Sequence, residues 1–500
     1  MLRISQRNEP ATLDPQLATL PDEFFVIRAL GEGLLIPAPG GGNPLPATAE
    51  SWTVTPDGRT YTFQLRADAR WSTGDPVTPD DFVYSVRRVL SPALAAPKAA
   101  LFFPLKNARA YFSGRETDFT AVGVRALDDR RVEYTLEEPA TDFPALVASG
   151  PWIPVPRATI EKFGRSDQRG SAWTRPENLV GNGPFRLAAW RPNQEIVLRP
   201  SATYRDAARV HLAEIRLLAF DNGDSEERAF RAGQIDLTMS VPFTKLASYR
   251  DAAAGVLHQI PLHETRYLAL NTHRAPLDNP AVRRALALAI NRPQLVQKVL
   301  QGGQQPAFSF IPPGLGGYQP GRQIAEDANE ARRLLREAGY PDGQGFPKLE
   351  LTSWPVGTAQ LEAIQQMWRK ELGIEVTLSP HEARTYLAEL AAGNFAIAFA
   401  TAIPDYDGAS ALFSDLTSGH AGNYPQWSNP EFDRLVFEAG RTGSPERRVA
   451  AYQQAEAILT DEMPLIPLYF NTQNFLQQPR VRHWETDRLW TRFYGSVEVE

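Results

Sequence analysis

Residues Phe395 to Ala400 read Phe-Ala-Ile-Ala-Phe-Ala, apolar at every position. A strand with one wet face alternates apolar and polar residues. A strand apolar on both sides is buried on both, and belongs in the middle of a mostly parallel sheet covered by helices. Even extended to Ile403 the run falls well short of the ~20 residues of a membrane helix. The surrounding sequence supplies the matching pieces. Tyr267–Asn271, Leu349–Thr352 and the alternating Ile374–Leu378 read as strands. Pro280–Ile290 reads as a helix opened by Asn279 and Pro280, and Asn291 with Pro293 opens another. Ala331–Ala338 closes at Gly339 and Leu361–Leu372 at Gly373, the residue that tolerates a left-handed helix end. The expected class is α/β.

Earlier parts of the chain differ. Arg59–Arg66, alternating Tyr61, Phe63 and Leu65 with polar residues, and Arg131–Glu137, with Val132, Tyr134 and Leu136, predict half-buried strands, so the first third is β-rich. Between them Thr78, Pro79, Asp80 and Asp81 announce a helix carrying Phe82, Val83, Val86 and Val89. Leu2–Arg7, Glu195–Leu198, Glu214–Phe220 and Ile235–Thr238 are further expected strands, with a helix over Ser225–Arg231. The Pro- and Gly-rich stretch Pro37–Pro46 is a candidate crossover between domains. At 500 residues, 43% of them apolar, two or three domains are expected.

Composition removes several chemistries. There is no cysteine, which excludes disulfides, thiolate metal sites and thiol nucleophiles. Lys+Arg 52 against Asp+Glu 58 gives a net charge of −6, the wrong sign for a nucleic-acid surface. The seven histidines (211, 258, 263, 273, 381, 420, 483) form no ligand motif. Neither a G-x-S-x-G elbow nor a G-x-x-x-x-G-K-[ST] loop occurs, and Gly181-Asn182-Gly183 is a turn signal. No metal or cofactor is expected, and nothing here points to an enzyme, although a catalytic triad need not be local in sequence. The segment after the apolar strand, Thr401-Ala402-Ile403-Pro404-Asp405-Tyr406-Asp407, stands out, because open α/β sheets bind ligands beyond the carboxyl ends of their strands. From local pattern alone Asp405 is either a ligand-facing acid or a loop acid, and Asp407 is the stronger candidate for capping the next helix.

Familiar blocks then appear in order along nearly the whole chain. They include Leu13-Asp14-Pro15, Glu32-Gly33-Leu34-Leu35, Ala49-Glu50-Ser51-Trp52, Asp57 to Phe63 and Trp71 to Ser85. Ile160 to Gly164, Gly181 to Phe185, and Pro276 to Arg292 with its N-x-x-V-R-x-A-L-x-x-x-x-[ND]-R pattern follow. Together they are highly specific. The chain resembles the family 5 solute-binding proteins of ABC importers, oligopeptide-binding type. The resemblance implies a two-lobed class II periplasmic-binding-protein fold with an extra inserted α+β domain. Lobe I would comprise 1–34, 156–263 and 472–500, the insert 35–155, and lobe II 264–471. It implies an extracytoplasmic monomer that closes by hinge motion around a peptide and delivers it to a membrane permease. The leader that exports such proteins is then expected to be missing from a sequence that opens directly on a strand.

The resemblance also implies a site. Asp405 falls on the aspartate that meets the peptide's ammonium. Backbone pairing falls on Thr401, Ala402 and Ile403 and on a strand edge at Thr19, Leu20 and Pro21. Tyr406, Asn423, Trp427, Tyr469 and Asn471 match further lining positions, although Tyr469 and its neighbour Phe470 equally suit a core. Three positions depart from the family. Ala402 stands where an aromatic is usual, Phe399 where an arginine helps hold the peptide carboxylate, and Thr19 where an acid is usual. Pro21 removes a donor as well. The competing expectation is a non-peptide solute: an opine, oligosaccharide, metal chelate or haem. A hydrolase or a chaperone-like interaction protein is the reading from a different class.

Overall fold

The computed structural model describes residues 1–6, 8–251, 255–355 and 358–500. The chain divides into two compact units, Met1–Gln259 with Gln473–Glu500, and Ile260–Thr472.

The first unit holds two four-stranded sheets. In one, Leu2–Gln6 runs parallel to Ile215–Ala219, followed by Glu195–Pro200 and Phe185–Arg191 in antiparallel order. The expected strand at Ile235–Thr238 shrinks to bridges made by Leu237 with Ile4 and Gln477. The Asp236 carboxylate takes the Arg3 N–H at 2.8 Å and also binds the Arg3 and Arg480 guanidiniums. A side chain has displaced a carbonyl from the ladder, and regular pairing stops there.

The other sheet is antiparallel, ordered Ala49–Val54, Thr60–Leu65, Arg131–Thr135, Val124–Ala126. Its buried face gathers rings: Tyr134 lies 5.8 Å from Phe63, 6.0 Å from Phe143 and 5.6 Å from Trp152. Helix Pro79–Val89 opens as its sequence announced, with Asp81 accepting the Thr78 N–H at 2.8 Å. From this helix the fully buried Arg88 grips Asp14 through two nitrogens at 2.6 and 3.1 Å and Gln16 at 2.7 Å. The Leu13-Asp14-Pro15 block is thus tied to the helix that continues the Trp71–Ser85 block. The Pro37–Pro46 stretch folds back as a hairpin, Leu35–Ile36 against Leu45–Pro46, with Gly40, Gly41 and Gly42 at positive φ near its tip.

Asn182 binds Glu32, accepting its N–H at 3.0 Å and donating to its carbonyl at 2.9 Å. Its flanking glycines allow this approach: a Cβ on Gly181 would sit 2.0 Å from the Leu30 carbonyl oxygen.

The second unit is built on a six-stranded sheet. Its order is Gln305–Pro306, Leu465–Leu476, Leu257–Leu270, Ile397–Ala402, Leu349–Ser353, Val376–Pro380. The apolar strand is central, as expected, but the sheet is mixed rather than mostly parallel. Pairing is parallel among the last three strands, which helices Thr358–Leu372 and Ala383–Ala392 connect, and antiparallel between Ile397–Ala402 and Leu257–Leu270. Helical crossovers produce the parallel half.

Trp368, Leu361 and Ile364 pack with Ile397, Phe399, Leu268 and Ile466 in a core of residues under a tenth exposed. The arginines of the Pro276–Arg292 block are structural. Arg292, wholly buried, donates to the Pro467, Ala287 and Ile290 carbonyls, and Arg283 to those of Glu462, Met463 and Leu277. Burial pulls both guanidiniums down to about 10. Among the described residues no helix is long and apolar enough to cross a membrane.

Candidate ligand-binding site

Strand Ile397–Ala402 carries the segment singled out by its sequence. On one side it is paired along its whole length, with Leu268 opposite Phe399, Arg266 opposite Thr401 and Thr265 opposite Ala402. On the other side the parallel partner reaches only Leu351 opposite Ile397 and Thr352 opposite Ala398. Past that point the Tyr386 hydroxyl, from helix Ala383–Ala392, donates to the Phe399 carbonyl at 2.6 Å. The Phe399 carbonyl therefore points away from strand Leu257–Leu270. Backbone groups alternate sides along a strand, so Thr401 presents its N–H and C=O in the same outward direction. Among the described residues no strand is registered against it there, and its buried hydroxyl has no hydrogen-bond partner. This is an edge on which an extended peptide can add.

Ile403 and the buried Pro404 leave the strand, and Asp405, Tyr406 and Asp407 follow, each partly exposed. The Tyr406 hydroxyl bonds Ser410 Oγ at 2.9 Å, and the Asp407 carboxylate accepts the Gly316 N–H at 2.7 Å.

Tyr469 is 5% exposed and packs in the core, with its phenol pushed up to about 12 by burial. Asn471 lies two residues on. Its Nδ2 donates to Glu264 Oε1 at 3.0 Å, and the same carboxylate oxygen holds Arg266 Nη2 at 2.7 Å. The Arg266 guanidinium sits over the Trp354 ring, 5.6 Å from its centroid. Asn423 and Trp427 serve the loop that contains them. The Asn423 amide donates to the Leu416, Thr417 and Trp427 carbonyls, and the Trp427 indole N–H to Glu462.

In the first unit, Thr19, Leu20 and Pro21 are not a strand edge. Leu20 caps helix Pro21–Leu30 and Pro21 is its first residue. Glu23 Oε2 accepts the Thr19 N–H at 2.7 Å and the Leu20 N–H at 3.0 Å. With Pro21 lacking a donor, and the Leu20 carbonyl accepting the Glu23 and Phe24 N–H groups at 3.1 and 3.4 Å, the segment's backbone is committed to starting the helix. The acid expected at 19 is present one turn later, spent as a helix cap.

The model for bacterial extracellular solute-binding proteins, family 5, matches residues 43–424. The chain belongs to this family. The probable deoxycholate-binding periplasmic protein YgiS of Escherichia coli is 34% identical over 96% of this chain and 90% of its own length. Among solved structures, the murein tripeptide binding protein MppA of Escherichia coli superposes with a TM-score of 0.89 at 32% identity, covering 100% of this chain and 98% of that one. Haemophilus influenzae OppA in complex with the peptide RPPGFSPFR gives 0.87 at 30% identity, covering 100% and 98%. The α/β fold expected from the sequence is the fold of these binding proteins. As a family 5 member the chain binds a solute and is not an enzyme.

The sequence pattern singles out strand Ile397–Ala402 and the segment after it, but not the charged group on the adjacent strand. Glu264, Arg266 and Trp354 were not singled out. Glu264 and Asn471 are 207 residues apart in the chain, so no local spacing announces them.

Proposed function

We propose that this protein captures a peptide with a free amino terminus outside the cytoplasm and delivers it to a membrane ABC permease. The observation that carries this reading is the open edge at Thr401 leading through Pro404 to Asp405. Backbone pairing there holds any sequence, while a carboxylate four residues on receives an ammonium in a charge-assisted contact. The peptide-bound OppA and the murein-peptide relative support it. Ala402, Ile403, Tyr406 and Asn471 line the same stretch, with Asn423 and Trp427 shaping the loop behind it.

We also propose the three-part division: lobe I at 1–34, 156–263 and 472–500, an insert at 35–155, and lobe II at 264–471. The separate antiparallel sheet around Tyr134 supports the insert.

Calorimetry with a tripeptide is the test. Asp405→Asn should weaken binding by about 2–5 kcal/mol. An unchanged affinity removes Asp405 from the site. The name of the relative YgiS makes a bile acid the competing ligand. A bile acid has no ammonium, so it would bind with or without Asp405. Native mass spectrometry of protein purified from cells separates the two, by a spread of peptide masses or a single steroid mass.

A further inference from the structure

Phe399 is apolar and buried, yet a cation lies close by. Trp354 packs on Phe399 at 5.7 Å and on Tyr386 at 5.2 Å, and over that Trp354 ring lies the Arg266 guanidinium. Arg266 stands opposite Thr401 in the register, four residues before Asp405. Its side chain is 21% exposed, whereas that of Glu264, which holds Nη2, is 1% exposed. Glu264 is held in turn by Asn471.

The guanidinium is thus fixed from below by a ring and from one edge by a buried acid. Among the described residues its Nε and Nη1 donate to no protein group. A planar fork with two nitrogens left over, held rigid and partly open, is built to take a carboxylate. We infer that Arg266 reads a carboxylate of the bound peptide, so that the ligand is a zwitterion whose acid lies within a few residues of its ammonium. Two sources share that chemistry: the terminal carboxylate of a short peptide, or an acidic side chain near the start of a longer one. This inference rests on the peptide reading above.

The test uses full-length protein freed of co-purified ligand and four tripeptide probes, Ala-Glu-Ala and Ala-Gln-Ala, each as free acid and as terminal amide. The wild type should bind a carboxylate-bearing form about tenfold or more tighter than its neutral counterpart. A preference for Glu over Gln assigns the side chain, and one for acid over amide assigns the terminus. Either preference should vanish in Arg266→Gln. Because that change strands a buried acid, the Glu264→Gln/Arg266→Gln double variant is measured alongside, with Arg266→Lys expected to retain part of the preference. If the wild type shows no preference, or both variants keep it, while Asp405→Asn still weakens every probe, Arg266 is not the reader and the peptide reading stands. If no probe binds the wild type, both fall.

Discussion

Glu456 is a buried acid on which stability should depend. It is 1% exposed, its Oε2 accepts from the Tyr318 hydroxyl and the Gly321 N–H at 2.9 Å each, and its Oε1 has no partner. Burial pushes this carboxyl up to about 7. The raised value means the folded state holds the proton more tightly than the unfolded chain. Its contribution is complete below the ordinary carboxyl range and is lost as pH rises through about 7. Urea unfolding at pH 5.5 and pH 8 should therefore show lower stability at pH 8. Glu456→Gln should flatten that difference and stabilise the protein at pH 8 by up to roughly 3 kcal/mol. Arg88 makes the opposite case. Arg88→Met leaves the Asp14 carboxylate buried and unpaired, and should cost about 3–5 kcal/mol in the same assay. Pairs like these were not legible beforehand, because Asp14 and Arg88 are 74 residues apart and look individually like surface charges.

At the level of elements, what could be read was what is encoded locally. The helices from Pro79, Pro280 and Asn291 begin where cap and proline coincide, and Gly339 and Gly373 end theirs at positive φ. Gly373 is doubly constrained: its φ is +69°, and a Cβ there would meet the Asp342 carbonyl oxygen at 2.4 Å. Gly373→Ala should lower stability by about 2 kcal/mol or more, read from the shift in urea midpoint at constant slope. Elements defined by partners rather than by caps were misjudged. Leu257–Leu270 begins ten residues before the expected Tyr267, since Pro261 and the polar His258 and Gln259 disguise a strand held by its neighbours. Ile235–Thr238 looked like a strand and was cut short by the carboxylate of Asp236. In the candidate site, the edge at Thr401 was legible because an apolar run ends there. That Thr19 and Leu20 surrender their N–H groups to Glu23 follows from how a helix starts in space.

For the molecule as a whole, a ligand that binds only the folded form must raise its stability by mass action. A tripeptide at one hundred times its dissociation constant should add about 2.7 kcal/mol, seen as a higher melting midpoint, and Asp405→Asn should remove most of that gain at the same peptide concentration. The chain passes from one unit to the other at residues 259/260 and back at 472/473, and near these crossings Gln259 and Asn474 are joined by a side-chain hydrogen bond at 2.6 Å. One unit is therefore continuous in sequence, while the other is split around it and needs Gln477 to bridge to Leu237. During synthesis the continuous unit is complete once Thr472 has emerged, before Gln473–Glu500 is made. The split unit is made in two instalments, Met1–Gln259 before the continuous unit and Gln473–Glu500 after it, so its two parts join only across a whole intervening unit.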